Sequence, residues 1–327
     1  MGREQRPLRT LAIYVDEGDD IDHLRAAFDL GADAVFFDLE DHVPRHKVAN
    51  ARVNIRKILD ERGSEKTIFV RVNRMGAPEL LDDLDAMVCP ELYAVALPKI
   101  EKVEEVLILD RLLTLFERKK GMEEGSVKIL PLLETAHSLR SAYDVALASP
   151  RIVHMGACVN QHGDPVRSIG YQWTRDMEES LYIRQKVLID ARAAGVRYPM
   201  SGLWNPTNDD EGLENFAVKT RNIGYYGMMV MPLPGHIEIV NRVFTPAQEE
   251  INYWAEIARI MDEANPDVAP DLVVGGQVVP ANRRSWADIR LALGAAYGVV
   301  PSADRPVLVA DHIGKASENF RKAAERA

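Results

Sequence analysis

The sequence predicts a (β/α)8 TIM barrel with a C-terminal helical extension, and three observations carry the barrel. Short apolar, β-branched runs alternate with longer amphipathic ones, and counting them gives eight strand–helix units. The strand runs are apolar at consecutive rather than alternate positions, as in parallel strands covered on both faces. Neither G-x-G-x-x-G nor G-x-x-x-x-G-K-[ST] occurs, so the nucleotide-binding doubly wound sheets lack their phosphate loops. Eight is the count of a closed barrel.

The units run in order. TLAIYV (10–15) precedes a helical pattern from Asp20 to about Leu30, and AVFFDL (34–39) precedes a helix from about Lys47 to Arg62. TIFVRVN (67–73) leads to PELLDDLDAMV, and AVALPKI (94–100) to the charged helix 102–120. VKILPLLE (127–134) leads to SLRSAYDVALAS, and RIVHMGAC (151–158) to a loop and then helix 177–194. YPMSGLW (198–204) precedes 210–223, and YYGMMVMP (225–232) precedes GHIEIVNRVF. Gly31, Gly195 and Gly224 stand where a helix stops before a strand, which suits a left-handed C-cap. After about residue 245 the rhythm breaks into a helix, a Pro- and Gly-rich stretch and a further helical segment. The predicted organisation is a catalytic barrel over 1–245 and a helical extension over 246–327, serving as a lid or an oligomer arm.

Of 327 residues, 46% are hydrophobic and 28% charged, which is ordinary for a globular chain able to bury a large core. A formal charge of −10 argues against a nucleic-acid or anionic-membrane surface. Cys89 and Cys158 have no zinc or disulfide spacing. The start, MGREQRPLRT, lacks an apolar signal region, and no apolar run approaches the ~18 residues that span a bilayer. A reducing cytoplasm is the expected location.

Chemistry in such a barrel sits at the C-terminal ends of the strands. There the sequence puts Asp38, Glu40 and Asp41 after strand two, Arg71 and Asn73 after strand three, and Pro98 and Lys99 after strand four. Glu134 ends strand five, Cys158, Asn160, His162 and Asp164 follow strand six, and Trp204 and Asn205 end strand seven. Glu40, Asp41, Arg71 and Glu134 are read as one shared site, and Lys99, Trp204 and Asn205 as substrate contacts. Among the histidines near strand ends (His42, His46, His154 and His162), His42 and His162 are the preferred general bases.

The run GADAVFFDLEDHVPRHKVANAR, then FVRVN, ALPKIE, LPLLETAHSL, RQKVLIDARAAG, NDDEGL and VNRVFTP, in this order, resembles the citrate lyase beta-subunit-like branch of the HpcH/HpaI aldolase family over roughly residues 9 to 250. The resemblance implies carbon–carbon bond chemistry through an enolate, with a divalent cation, Mg2+ or Mn2+. It implies that Glu134 in LLETA is a metal ligand, that Arg71 in VRVN binds substrate oxygens, and that Glu40 and Asp41 of DLED lie near metal-bound water. It also implies a homo-oligomer, trimer or hexamer. Hard cations take carboxylate oxygens and polarise an oxo or thioester oxygen, and a guanidinium grips a carboxylate bidentately.

The chain departs from the family pattern in four places. Val159 falls where the second metal ligand belongs, which leaves Asn160 or Asp164 to substitute. Met228 replaces a strand-eight lysine, and Leu233 roughly replaces a histidine, with His236 nearby but offset. Pro280 stands where related thioester lyases carry an acid/base aspartate, with Asp267 and Asp271 upstream. The first loop, VDEGDDIDH, holds Asp16, Glu17, Asp19, Asp20 and Asp22, so it gives no support for a phosphate-tailed thioester. The expected function is a metal-dependent lyase or aldolase acting on a small hydroxy or oxo acid or its acyl thioester. The alternatives are thioester hydrolysis at the same site, which the missing aspartate favours, and a non-catalytic binding or regulatory paralogue.

Overall fold

The structure is a computed structural model that describes residues 5–14, 20–263, 271–274, 277–280, 283–305 and 310–312. Its described residues belong to two compact units, Met1–Phe244 and Thr245–Ala327.

The first unit is the barrel. Its strands are β1 (Thr10–Tyr14), β2 (Ala34–Asp38), β3 (Thr67–Arg71), β4 (Ala94–Leu97), β5 (Lys128–Leu133), β6 (Gly156–Ala157), β7 (Met200–Ser201) and β8 (Gly227–Val230). They form an eight-stranded sheet of order β6-β5-β4-β3-β2-β1-β8-β7 in which every ladder is parallel. Met200 N donates to Met155 O at 3.2 Å and Leu203 N to Val159 O at 3.2 Å, which joins β7 to β6 and closes the sheet. Only glycine permits that closure. A Cβ on Gly156 would lie 1.3 Å from Met200 O, and one on Gly202 would lie 2.1 Å from Val159 O.

Strand parity sorts the core into two layers. Leu11, Ala34, Phe36, Phe69, Ala94, Ala96, Leu130 and Leu132 fill the barrel, while Val35, Phe37, Ile68, Val70, Val95 and Ile129 pack outward under the helices. Continuing the inward parity of β2, β3 and β5 by one step gives Asp38, Arg71 and Glu134. These three polar residues are therefore aimed into the barrel mouth by the same alternation that fills its interior with apolar ones.

The crossover helices start and stop where the chemistry of their ends dictates. Asp20 caps the helix Ile21–Ala26 by accepting from the Asp22 and His23 amides. Thr135 and Ser138 form a reciprocal capping box at the head of Ala136–Arg140, immediately after Glu134. The helix Asp210–Ile223 ends on Gly224 at φ 115°, and Gly31 and Gly195 also have positive φ.

In the second unit the helices Gln248–Glu263 and Arg283–Ala296 are accompanied by an antiparallel sheet of Asp271–Val274, Gln277–Pro280 and Ala310–His312. The extension is therefore not wholly helical, which corrects the sequence expectation. The Val-rich runs 271–274 and 277–280 carry the local strand signal. Asp16, Glu17, Asp19 and Asp267 lie outside the described residues, as do the side chains of Asp271 and Pro280. Among the described residues no helix is long and apolar enough to cross a membrane.

Candidate active site

The C-terminal mouth of the barrel opens into a cavity of about 490 Å3. Its deeper wall is apolar, with Ile13, Phe36, Leu132, Leu203 and Met229, and its rim carries Asp41, His42, Arg71, Lys99, Glu134, Asn160, His162, Asp164, Arg167 and Asn205.

The β2–β3 register sets Asp38 directly beside Arg71. Both side chains are buried, at 0% and 8% exposure. Arg71 donates through Nε to Asp38 Oδ1 at 2.6 Å and through Nη2 to Asp38 Oδ2 at 2.5 Å. Burial alone would raise the Asp38 carboxyl, but the adjoining guanidinium overrides it and holds the group well below the usual carboxylate range. The fork of Arg71 thus grips an internal carboxylate, which corrects the expectation of a bidentate hold on substrate. Its Nη1 edge remains, 3.5 Å from Glu40 Oε2 and 3.8 Å from Asp41 Oδ2. Glu40 Oε2 is buried and accepts no hydrogen bond among the described residues.

Lys99 adopts a left-handed backbone at φ 52°, uncommon for a residue with a side chain. That turn points its amide at Glu134 Oε2, 3.0 Å away, while its ammonium reaches Glu40 Oε1 at 2.8 Å and also pairs with Asp41. Lys99 Nζ stands 3.9 Å from Asp164 Oδ2. Lys99 therefore organises the acids of the mouth, and its charge is already engaged by them rather than waiting for substrate. Burial pushes the Glu134 carboxyl up to about 7 against the pull of Arg71 and the Lys99 amide, and the nearby charges of Asp164 and Glu40 push it the same way.

The loop after β6 carries both candidates for the second ligand. Asn160 Oδ1 accepts from the His162 amide at 3.0 Å, and its Nδ2 donates to Cys158 O at 3.4 Å, so its amide serves the loop. Asp164 opens the helix Asp164–Ile169, pairs with Arg167 through one oxygen and turns the other toward Lys99. Asn205 lines the cavity, and its Oδ1 accepts from the Gln161 amide at 3.0 Å.

Several expected residues lie elsewhere. Trp204 is 1% exposed and packs outward against Trp173 and Phe216, not on the cavity wall. β7 ends at Ser201, so strand alternation no longer governs position 204. Val159 likewise packs outward, and at β8 it is Met229, not Met228, that faces the cavity. His46 is exposed in the turn Arg45–Lys47. His154 is fully buried among Phe69 and Tyr93 inside the barrel, and burial pushes its ring down to about 4. His42 and His162 are on the cavity wall. The role of Asp38 is set by strand register, which places it beside Arg71. The inward parity 34, 36, 38 was the available signal.

A closed parallel barrel with titratable side chains converging on a cavity at its C-terminal mouth has the layout of a barrel enzyme. The HpcH/HpaI aldolase/citrate lyase family matches residues 14–232, and the chain belongs to this family. Citrate lyase subunit beta of Leuconostoc mesenteroides subsp. cremoris is 29% identical over 266 residues, covering 80% of this chain and 86% of the relative. A (3S)-malyl-CoA thioesterase of Cereibacter sphaeroides is 28% identical, covering 85% of this chain and 92% of the relative. The fold is shared with protein CitE from Mycobacterium tuberculosis in complex with magnesium, acetoacetate and coenzyme A, at TM-score 0.66 and 21% identity, covering 90% of this chain and 99% of that one.

The family implies a divalent cation, and the donor set fits one. Among the described residues no group of three or more His, Cys, Asp and Glu forms a ready-made cage. Magnesium is usually held by one or two carboxylates, with water and substrate oxygens completing its shell. Glu134 and Asp164 are such a pair, near enough for one to raise the other's pKa. Glu134 and Asp164 would hold a divalent cation, whose charge would offset that repulsion.

Proposed function

We propose that this chain is a divalent-cation-dependent carbon–carbon lyase that cleaves a small 3-hydroxy acid or its acyl thioester through an enolate, or runs the reverse condensation. The observation that carries the reading is the mouth itself, where Glu134 and Asp164 face a cavity that Arg71 also lines. Glu134 and Asp164 would hold Mg2+ or Mn2+, with Asn160 kept to its loop. When bound, the cation supplies Lewis-acid stabilisation of the developing oxyanion.

The chain's own residues then do the rest. Arg71 is locked by Asp38 and presents Nη1 to a substrate oxygen with little reorganisation. Lys99 keeps Glu40 and Asp41 drawn together and steadies Glu134 through its amide. Asn205 sits at the rim to orient the polar end of the substrate, while Phe36, Leu132 and Met229 exclude water from the carbon skeleton.

Incubation with magnesium and malyl-CoA tests the reading. Cleavage releases acetyl-CoA and glyoxylate, whereas hydrolysis releases malate and free CoA. The second outcome favours thioesterase chemistry, the reading that the malyl-CoA thioesterase relative and Pro280 support. Absence of both products, together with absent cation binding, favours a non-catalytic paralogue.

The same proposal includes a homo-oligomer, trimer or hexamer, in a cytoplasmic setting, with the second unit as a lid or oligomer arm. The large exposed side chains Tyr143, Leu147, Tyr182 and Ile189 on the helices Ala142–Leu147 and Leu181–Ala193 support association of copies. Sedimentation analysis that finds only monomer removes that part.

A further inference from the structure

The N-terminal end of the barrel holds a second cavity, of about 650 Å3 against about 490 Å3 at the C-terminal mouth. It lies where β3, β4 and β5 begin, and Lys66, Tyr93 and Lys128 line it. The Tyr93 amide donates to Ile68 O at 3.0 Å and the Lys128 amide to Tyr93 O at 2.8 Å, so the three strand starts lie side by side. On β5 the inward positions are Lys128, Leu130 and Leu132, followed just past the strand by Glu134. The alternation that aims Glu134 into the mouth therefore aims Lys128 into the opposite end of the barrel.

Acids and bases both line this cavity, but they are not neutralised alike. Asp33 Oδ1 pairs with Arg9 Nη2 at 2.6 Å, Glu65 Oε2 with Arg62 Nη2 at 2.8 Å, and Glu91 Oε2 faces Arg56 Nη2 at 3.9 Å. All three arginines stand outside the lining. The two lysines have no carboxylate in contact among the described residues. Lys66 Nζ donates to Ala32 O at 2.8 Å and Lys128 Nζ to Gly125 O at 2.7 Å. An ammonium has three N–H donors, so each lysine keeps two for a ligand. Burial draws the Lys66 ammonium below the usual lysine range, against the pull of Asp33. Arg6 adds a guanidinium 5.7 Å from the centre of the Tyr93 ring.

We infer that this cavity binds a small multivalent anion, one bearing phosphate groups or several carboxylates, through Lys66 and Lys128. The acids of the wall are answered from behind by arginines, which leaves the lysine charges to be answered from the cavity. β3 and β5 are two strand spacings apart, about 10 Å, a gap that a diphosphate or a tricarboxylate bridges and a single monovalent ion does not. The volume falls within the range of small-molecule pockets, about 300–1,000 Å3. Chemistry in this fold belongs to the C-terminal face, so the ligand at this end is bound without being transformed. The inference stands independently of the lyase reading.

Equilibrium binding of pyrophosphate and, separately, of tricarballylate tests this on the full chain. A chelator keeps divalent cations out of the mouth, and chloride at about 0.15 M screens loose surface attraction. Wild type should bind at least one probe saturably, and the tighter one tells phosphate from carboxylate chemistry. The double variant Lys66→Gln, Lys128→Gln should bind at least about 10-fold more weakly, because it loses both charged donors. Ser64→Glu, which puts a negative charge on the exposed rim and leaves both lysines in place, should weaken binding as well, so the test survives if the double variant fails to fold. Arg71→Lys, at the other end of the barrel, should bind like wild type. No saturable binding of either probe overturns the site. So does binding that the folded variants at Lys66, Lys128 and Ser64 leave unchanged, or binding that Arg71→Lys abolishes, which would put the anion in the mouth.

Discussion

Arg71 and Arg151 are both buried arginines held by carboxylates, one at each end of the barrel, and they differ in how many of their donors the protein itself uses. Arg151, just before β6 and 4% exposed, uses every donor it has. Nε donates to Asp110 at 2.8 Å, Nη1 to Glu117 at 2.7 Å and Val127 O at 2.8 Å, and Nη2 to Glu117 at 2.7 Å and Thr114 at 2.8 Å. Arg71 makes two bonds to Asp38 and turns Nη1 to the cavity. A saturated guanidinium has nothing left for a ligand, whereas an unsaturated one held rigid is preorganised for it. The contrast obeys the rule for this fold, in which the N-terminal face stabilises and the C-terminal face reacts.

The largest expected effect lies at the structural end. Arg151→Ala leaves Glu117 and Asp110 without their partner, and removing one member of a buried pair costs about 3–5 kcal/mol. Urea unfolding should show that loss while turnover per folded molecule stays at the wild-type value. A fall in turnover at full folding breaks the comparison.

His154 supplies the next effect. Burial depresses its pKa from 6.5 to about 4, so the unfolded chain binds more protons between those values. Its contribution is complete above about 6.5 and is lost as pH falls toward 4, by about 3 kcal/mol. Unfolding free energies of wild type and His154→Gln should converge toward acid over that window. A constant difference across the window contradicts it.

At the reactive end, Arg71→Lys keeps the charge and loses the planar fork. Steady-state kinetics should show kcat/KM lower by about 10²-fold. A smaller change in unfolding free energy than in Arg151→Ala sharpens the distinction, and the opposite ranking reverses it. The smallest effect is that of Thr135→Ala, which removes the capping box beside Glu134 and should cost about 1 kcal/mol in denaturant unfolding.

All eight strands were legible because continuous apolar runs and helix-stop glycines are local signals. Glu134, Arg71 and the DLED acids were legible because they end those runs. Partners were not: the Asp38–Arg71 pair depends on β2–β3 register, and the left-handed turn at Lys99 has no compositional mark. Trp204 lies off the cavity because β7 is two residues long, too short for alternation to orient the residues just beyond it. The small sheet of the second unit was missed because its Pro and Gly content outweighed the Val-rich runs that flank Gly275–Gly276.

Titration calorimetry with magnesium tests most directly the proposal that the mouth holds a divalent cation through Glu134 and Asp164. Wild type and Arg151→Ala should bind alike, while Glu134→Ala and Asp164→Asn should bind at least about 10-fold more weakly, in the range expected for loss of a charged oxygen ligand. Undiminished binding in Glu134→Ala, or no binding in wild type, contradicts the account.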